Sequence, residues 1–290
     1  MIDLINKLKY FLQFIVISIM LLIFKLFGLR ASRIISEKIL SLVGPIFRSN
    51  KLTRANIDYA FPDESEDFKK KIINEMWLTY GRILAEYIFI KKFRSTKLMN
   101  QIEVEGQDEL KKIKDSKKPV IFISGHFDNF ELMAMCIEKN GIDLAVIYRP
   151  LNNIFLNPLM ERIRKKYICR KQIKKGISGT KKLLKYFKLG SSIALMVDQR
   201  VSEGIKCNFF GKEALTTTIP AQFVKKFNCK IVPIHIERKK DDKFKLKIFR
   251  PLEFKENDTL KSITLSLNLF LEKMIIKNPN QWIWTHNRWK

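Results

Sequence analysis

Between Tyr10 and Leu29 lie twenty residues with a single charge, Lys25, and only Gln13 and Ser18 as further polar side chains. As a helix this run extends about 30 Å, the thickness of a bilayer's hydrocarbon core. Lys25 stands near one end, where its stem can carry the ammonium out to the headgroups. A buried core helix is the competing reading. A cleaved signal peptide fits less well, because the apolar run is long and no A-x-A site follows it. The sequence therefore predicts an uncleaved membrane anchor over residues 1–30 and a folded body over 31–290. Lys7 and Lys9 precede the run, whereas Arg30, Arg33, Lys38, Arg48 and Lys51 follow it. The excess of positive charge after the run places the body on the cytoplasmic side.

Beyond the anchor, Ile34 to Val43 reads as a second apolar-faced helix, broken at Gly44-Pro45. Residues 52–93 repeat apolar positions three and four apart around Ile72, Ile73, Met76, Trp77, Tyr80 and Leu84, the helical period. After the Lys-rich stretch 111–118 the pattern changes to short apolar runs: Val120–Ser124, Leu144–Tyr148, Ile193–Val197, Ile231–Ile236 and Phe244–Phe249. Helical stretches at 155–166, 180–188 and 218–227 alternate with several of them. This order predicts an α/β fold, a mixed and mostly parallel central sheet flanked by helices. The last two runs, joined by the polar turn Lys239–Lys243, are expected to form an antiparallel pair at one edge.

The net charge of +26 invites a nucleic-acid reading, but Lys supplies 41 of the 55 basic residues. With Ile, Asn and Phe also abundant, that is the mark of AT-rich codon drift. No zinc-finger spacing, ribonucleoprotein motif or dense Arg stripe is present, so nucleic acid is not the expected partner. The basic excess still suits an anionic lipid, a phosphorylated substrate or an acidic carrier protein. Cys136, Cys169, Cys207 and Cys229 lie far apart without a C-x-x-C pair, which fits free thiols in a reducing compartment and argues against structural zinc. With three His in the chain, no metal and no cofactor is expected.

The stretch Val120-Ile-Phe-Ile-Ser124-Gly125-His126-Phe127-Asp128-Asn129-Phe130-Glu131 reads as strand, tight turn and helix start. His126 then falls at the C-terminal end of a strand, where open α/β sheets place their ligands. Glu131 follows five positions later. On a continuous helix the two side chains would diverge by about 140°, so a turn is needed for the carboxylate to reach the imidazole. Such a pair can activate an alcohol: the carboxylate fixes the tautomer while the other ring nitrogen takes the proton. The bland alternative is a capping cluster beside a surface histidine. His235 alternates within a strand and is expected to be a satisfied sheet-face residue, and His286 lies in an aromatic, basic tail.

Gly125-His126-Phe127-Asp128-Asn129-Phe130-Glu131 resembles the G-H-x-x-N-[WF]-E signature of the bacterial lipid A late acyltransferases, the lauroyl/myristoyl transferase family. Val146-Ile147-Tyr148-Arg149-Pro150-Leu151-Asn152-Asn153 is similar to the family's Y-R-P-x-x-N segment. Ala194 to Gln199 resembles its strand ending in D-Q, and Asn208 to Gly211 with Thr216 to Pro220 its F-F-G…T block. Pro279 to Lys290 resembles its closing P-x-Q-[WY]-x-W-x-H-x-R-[WF] tail. Five motifs in the family's order, together with the N-terminal anchor, cover nearly the whole chain. Asp128 stands where many relatives have Gly, and Asn287 where Arg is common.

The resemblance implies a glycerolipid-acyltransferase-like fold at the bacterial inner membrane. It also implies transfer of an acyl chain from acyl carrier protein to the hydroxyl of a 3-hydroxyacyl chain on a lipid A precursor. His126 is then the general base and Glu131 its orienting partner. Arg149, Asp198, Gln199 and Asn129 are candidates for binding substrate, with Arg149 able to grip a phosphate or steady an oxyanion. Phe209-Phe210-Gly211 suits an acyl groove or plain core. The three Trp of the tail suit a membrane interface or packing beneath the sheet. Two other readings remain at this stage: an acyltransferase for another glycolipid, such as a phosphoinositide mannoside, and a non-enzymatic basic membrane-surface protein.

Overall fold

A computed structural model describes residues 2–95 and 97–290. The chain opens with helices α1 (Ile2–Phe47), α2 (Asn50–Ala60), α3 (Glu66–Tyr87) and α4 (Ile90–Ser95). Strands and helices then alternate: β1 (Ile102–Glu105), α5 (Gln107–Ser116), β2 (Ile121–Ser124), α6 (Glu131–Lys139), β3 (Leu144–Tyr148), α7 (Leu156–Ile163), β4 (Lys171–Lys174), α8 (Ile177–Lys188) and β5 (Ser192–Met196). The hairpin β6 (Ile205–Phe209) and β7 (Lys212–Thr216) precedes α9 (Ile219–Phe227), β8 (Ile231–Arg238), β9 (Phe244–Ile248) and α10 (Leu260–Lys277).

Gly28 divides α1 into arms 2–27 and 29–47, since its φ of 79° and ψ of 172° leave the helical region. Glycine tolerates that φ, whereas a Cβ would strain it. The helix is long and apolar enough to cross a membrane, and only 6% of its most apolar 18-residue stretch is buried. The buried-core reading therefore fails. The body touches the first arm along one side, where Asn153 donates to the Tyr10 carbonyl at 2.8 Å and Phe155 packs edge-on to Phe11 at 5.4 Å.

The expected break at Gly44-Pro45 is absent, and the second arm runs on to Phe47. Gly44 serves packing instead. A Cβ there would lie 2.2 Å from the Trp77 ring, and one on Gly81 would lie 2.5 Å from the Ser36 carbonyl. Two bare backbones thus let the second arm lie against α3 at close range, and Pro45, inside the last turns of the arm, removes one donor from the helix ladder without ending it.

Seven strands form one sheet in the order β1-β9-β8-β2-β5-β3-β4, with β8 and β9 antiparallel and all other neighbours parallel. The central strands are buried on both faces, as Ile121, Phe122, Ile123 and Ile193 show with no exposure. That pattern belongs to a parallel sheet covered by helices. The antiparallel pair is present but does not form the edge. β1 adds outside β9, and its Glu105 meets Lys245 and Lys247 at 2.7 and 2.5 Å. β4, Lys-Gln-Ile-Lys, closes the other edge. Short, charged edge strands discourage further pairing.

Candidate active site

Adjacency of β2 and β5 builds the centre. In their parallel register Ser124 faces Met196, and the ladder continues with Val197 N–H donating to Ser124 O at 2.9 Å. Two residues beyond each member of that pair stand His126 and Asp198, so the topology brings their side chains together. The imidazole Nδ1 lies 2.8 Å from Asp198 Oδ1, and the His126 backbone N–H donates to Asp198 Oδ2 at 2.7 Å. Gly125 makes room for this contact: a Cβ there would sit 3.1 Å from Asp198 Oδ2 and 2.9 Å from Phe127.

The carboxylate of Asp198 has no exposure, and the Trp282 indole N–H also donates to its Oδ2 at 2.9 Å. Burial favours its neutral form, but the His126 charge and these hydrogen bonds outweigh burial and hold the carboxyl below the usual range. The His126 side chain is one-fifth exposed (20%) and packs edge-on against Phe130 at 4.9 Å. Burial alone would lower its proton affinity. Asp198's charge and hydrogen bond, with Glu131's charge added, reverse that and raise its pKa above the ordinary histidine value. With an ionised carboxylate on Nδ1, the neutral ring carries its proton there, leaving Nε2 as the basic nitrogen.

Glu131 does not take the imidazole in hand as its spacing suggested. It opens α6, and its Oε1 accepts from Arg164 Nε at 2.8 Å and Nη2 at 2.6 Å. The five-residue offset does contain a turn, with Asp128 at a φ of 35°. That turn directs Glu131 to Arg164, while the ladder register gives Asp198 to His126. The Glu131–Arg164 pair still acts on the imidazole through space, Glu131 raising its proton affinity and Arg164 lowering it. Arg164 lies in a π-helical turn after α7, its guanidinium 5.7 Å from the Tyr148 ring.

Below the turn lies a buried ion cluster. Arg238 of β8 donates to both Glu86 oxygens at 2.6 and 3.0 Å and to both Asp128 oxygens at 3.1 and 2.6 Å. Arg33 donates to Glu86 at 2.7 Å, and the Asn129 amide to the same carboxylate at 2.8 Å. Asp128 thus directs its charge to Arg238. Asn129 is 2% exposed within this cluster.

The tail completes the site. Phe127 and Trp282 form an antiparallel bridge, and Trp282 and Trp284 are buried, their rings 4.6 Å apart. The tail Trp thus pack against the sheet. His286 Nε2 accepts the Arg200 N–H at 3.0 Å, and burial lowers its pKa to about 4, so it stays neutral and holds the segment after Asp198. Phe209 is fully buried against Phe210, Trp282 and Trp289, which makes it core. His235 faces Phe127 with its Nε2 buried and unpartnered, and burial lowers its pKa to about 4. The expected satisfied side chain is therefore not what the strand holds.

Gln199 follows Asp198 and is half-buried. Arg149 is exposed and, among the described residues, has no hydrogen bond or ion pair. It leaves β3 at the same end of the sheet as His126 but two strands away, beside the exposed apolar side chains Leu151, Ile154 and Phe155.

The profile of the family described as bacterial lipid A biosynthesis acyltransferase matches residues 3–290. The lipid A biosynthesis palmitoleoyltransferase of Escherichia coli (strain K12) is 25% identical over 255 residues, covering 84% of this chain and 79% of that one. The lauroyltransferase of the same organism is 25% identical over 254 residues, with the same coverage. Its myristoyltransferase is 19% identical over 241 residues, covering 81% and 73% of the two chains.

Proposed function

The chain belongs to the bacterial lipid A biosynthesis acyltransferase family, and on that premise we propose that it transfers a fatty acyl group from acyl carrier protein to the 3-hydroxyacyl hydroxyl of a lipid A precursor. The observation that carries this reading is the His126–Asp198 contact at the C-terminal edge of the sheet. His126 Nε2 removes the acceptor's hydroxyl proton, and Asp198 fixes the tautomer and balances the imidazolium. The alkoxide oxygen bonds to the thioester carbonyl carbon. Collapse of the tetrahedral intermediate breaks the C–S bond, and the imidazolium returns its proton to the departing thiolate. No enzyme nucleophile is required. The Glu131–Arg164 pair supplies charge beside the dyad, with Arg164 placed to steady the oxyanion. Arg149, exposed beside an apolar loop, contacts a phosphate of the glycolipid.

Residues 1–30 anchor the enzyme in the inner membrane, and residues 31–290 form the catalytic domain on the cytoplasmic face. Support comes from the exposed apolar arm of α1 and from the basic residues that follow it. The deciding experiment supplies purified full-length protein with labelled acyl–acyl carrier protein and a lipid A precursor. Label moving to the glycolipid in ester linkage is the expected result. Label released only as free fatty acid would defeat the proposal.

The pH dependence carries a sign. The base works when neutral, so kcat/KM should rise with pH through the elevated His126 pKa. Asp198→Asn removes the charge that raises it, so the acid limb of the profile should move to lower pH while the plateau falls. An acid limb unmoved by the substitution would show that another group titrates there. The same linkage affects stability: the His126 contribution is present below the unfolded histidine pKa and is lost as pH rises through the folded one.

A further inference from the structure

The start of the second arm of α1 borders a cavity of about 370 Å³ that the chemistry at His126 does not use. Its size is within the range of roughly 300–1,000 Å³ common to small-ligand sites. It is lined by Gly28, Arg30 and Arg33 of the helix and by Asp241 and Asp242 of the β8–β9 turn, with Gln101 also among the lining residues; Asp242 already lies 3.4 Å from Arg33 Nη1 and 3.8 Å from Arg238 Nη1. Because Gly28 breaks the helix, residues 29–31 begin a new one and present the partial positive charge of a helix N-terminus. Ser32 Oγ donates to the carbonyls of Phe24 and Gly28 at 2.8 and 2.6 Å, which occupies acceptors at the end of the first arm.

Two polar atoms at this cavity are buried without a partner. Arg33 is 4% exposed; its Nε goes to Glu86 and its Nη1 pairs with Asp242 at 3.4 Å, while its Nη2 has no hydrogen bond. Gln101 Oε1 is the second. One is a cationic donor and the other an acceptor. Against Arg33, the β8–β9 turn is closed by Lys239 N–H to Lys243 O at 2.7 Å and Asp242 N–H to Lys239 O at 3.1 Å, with Asp242 at a φ of 61°. That turn holds both carboxylates at the cavity mouth, about half exposed at 54% and 47%. Asp241 is engaged only by Lys243 at 2.7 Å, an exposed pair of small worth.

A simple anion here would meet two carboxylates, and a simple cation would meet two guanidinium groups and a helix N-terminus. A zwitterion satisfies both sets of charges. We propose that the cavity binds the headgroup of a phospholipid carrying a primary ammonium. Its phosphate lies on Arg30, Arg33 Nη2 and the helix N-terminus, and its ammonium lies on Asp241, Asp242 and Gln101 Oε1. Phe27 and Leu29 line the same cavity, and exposed Leu26 and Phe27 continue along the apolar arm, where the acyl chains would lie. The site stands independently of the acyl-transfer reading.

The test measures binding to the full chain in detergent by native mass spectrometry and by thermal-shift midpoint. The probes are dihexanoyl phosphatidylethanolamine, phosphatidylcholine and phosphatidylglycerol, with O-phosphoethanolamine as the free headgroup. The ethanolamine lipid should bind at least tenfold tighter than the other two and raise the midpoint most. Free phosphoethanolamine should bind more weakly but with the same variant sensitivity. Asp241→Asn and Asp242→Asn should each erase the preference for the ammonium, and Arg30→Gln should weaken every phosphate probe. Arg30 and Asp241 are exposed, so their variants retain the fold; Asp242 pairs with Arg33 and Arg238, and the thermal midpoint of Asp242→Asn without lipid separates lost binding from lost stability. Equal binding of all three lipids, tighter binding of phosphatidylglycerol, or affinities that ignore all three substitutions would each overturn the proposal.

Discussion

His126→Ala is expected to lower acyl transfer by roughly 10²–10⁴-fold, the range that follows loss of a positioned general base. The substitution should leave the fold intact, for a reason visible in the hydrogen bonds. Asp198 keeps the Trp282 indole N–H at 2.9 Å and the backbone N–H of residue 126 at 2.7 Å. Its charge therefore remains partnered when the ring is gone. Single-turnover transfer by the variant, together with its urea midpoint, checks both halves of the expectation. Near wild-type turnover would remove His126 from the chemistry. A collapsed midpoint would make it a structural residue.

Arg238→Met has the largest expected effect on stability. The guanidinium is 3% exposed, makes four hydrogen bonds to Glu86 and Asp128, and lies 4.5 Å over the Phe244 ring. Removing it leaves two buried carboxylates with Arg33 as their remaining guanidinium. Breaking a buried pair from one side costs about 3–5 kcal/mol, because the remaining charge is uncompensated. Neutralising the orphans in the same chain, with Glu86→Gln and Asp128→Asn, should recover much of the loss. Denaturant midpoints of the single and triple variants decide the matter. A single variant within about 1 kcal/mol of wild type would mean that water or relaxation replaces the guanidinium.

The strand-to-helix turn at His126 was legible because its signals are local: an apolar run, a glycine and an acidic helix start. Asp198 was legible as a strand-end residue, but its partner was not. Only the strand order sets β5 beside β2, and nothing in residues 193–199 encodes that neighbour. Glu131 is the carboxylate that the intervening turn and the motif both offer to His126, since it belongs to the same local segment. Arg164 is one of four cations in Arg162–Lys166, and spacing does not separate the buried one from the solvated ones. The links from Glu86 to Arg33 and Arg238 span 53 and 152 positions, beyond any local pattern. β1 and β4 escaped because each has four residues, half of them charged, so burial on one side of a sheet edge leaves little apolar alternation.

Threading of the tail through the site fixes the order in which a nascent chain becomes competent. Synthesis delivers the apolar arm of α1 first, then His126, then Asp198. Trp282 and His286, which secure the Asp198 carboxylate and the segment behind it, emerge about eighty residues later, a gap that follows from the spans of their hydrogen bonds. Asn56 waits on the same event, since its amide donates to the carbonyls of Trp284 and His286 at 2.8 and 2.7 Å. An early helix and the latest segment are thereby clasped together, and a chain released before residue 282 carries His126 and Asp198 without the Trp282 N–H on the carboxylate or the His286 hold on Arg200. Truncated translation products should therefore be inert even where the sheet has formed, which separates insertion at the membrane from the onset of catalysis in time.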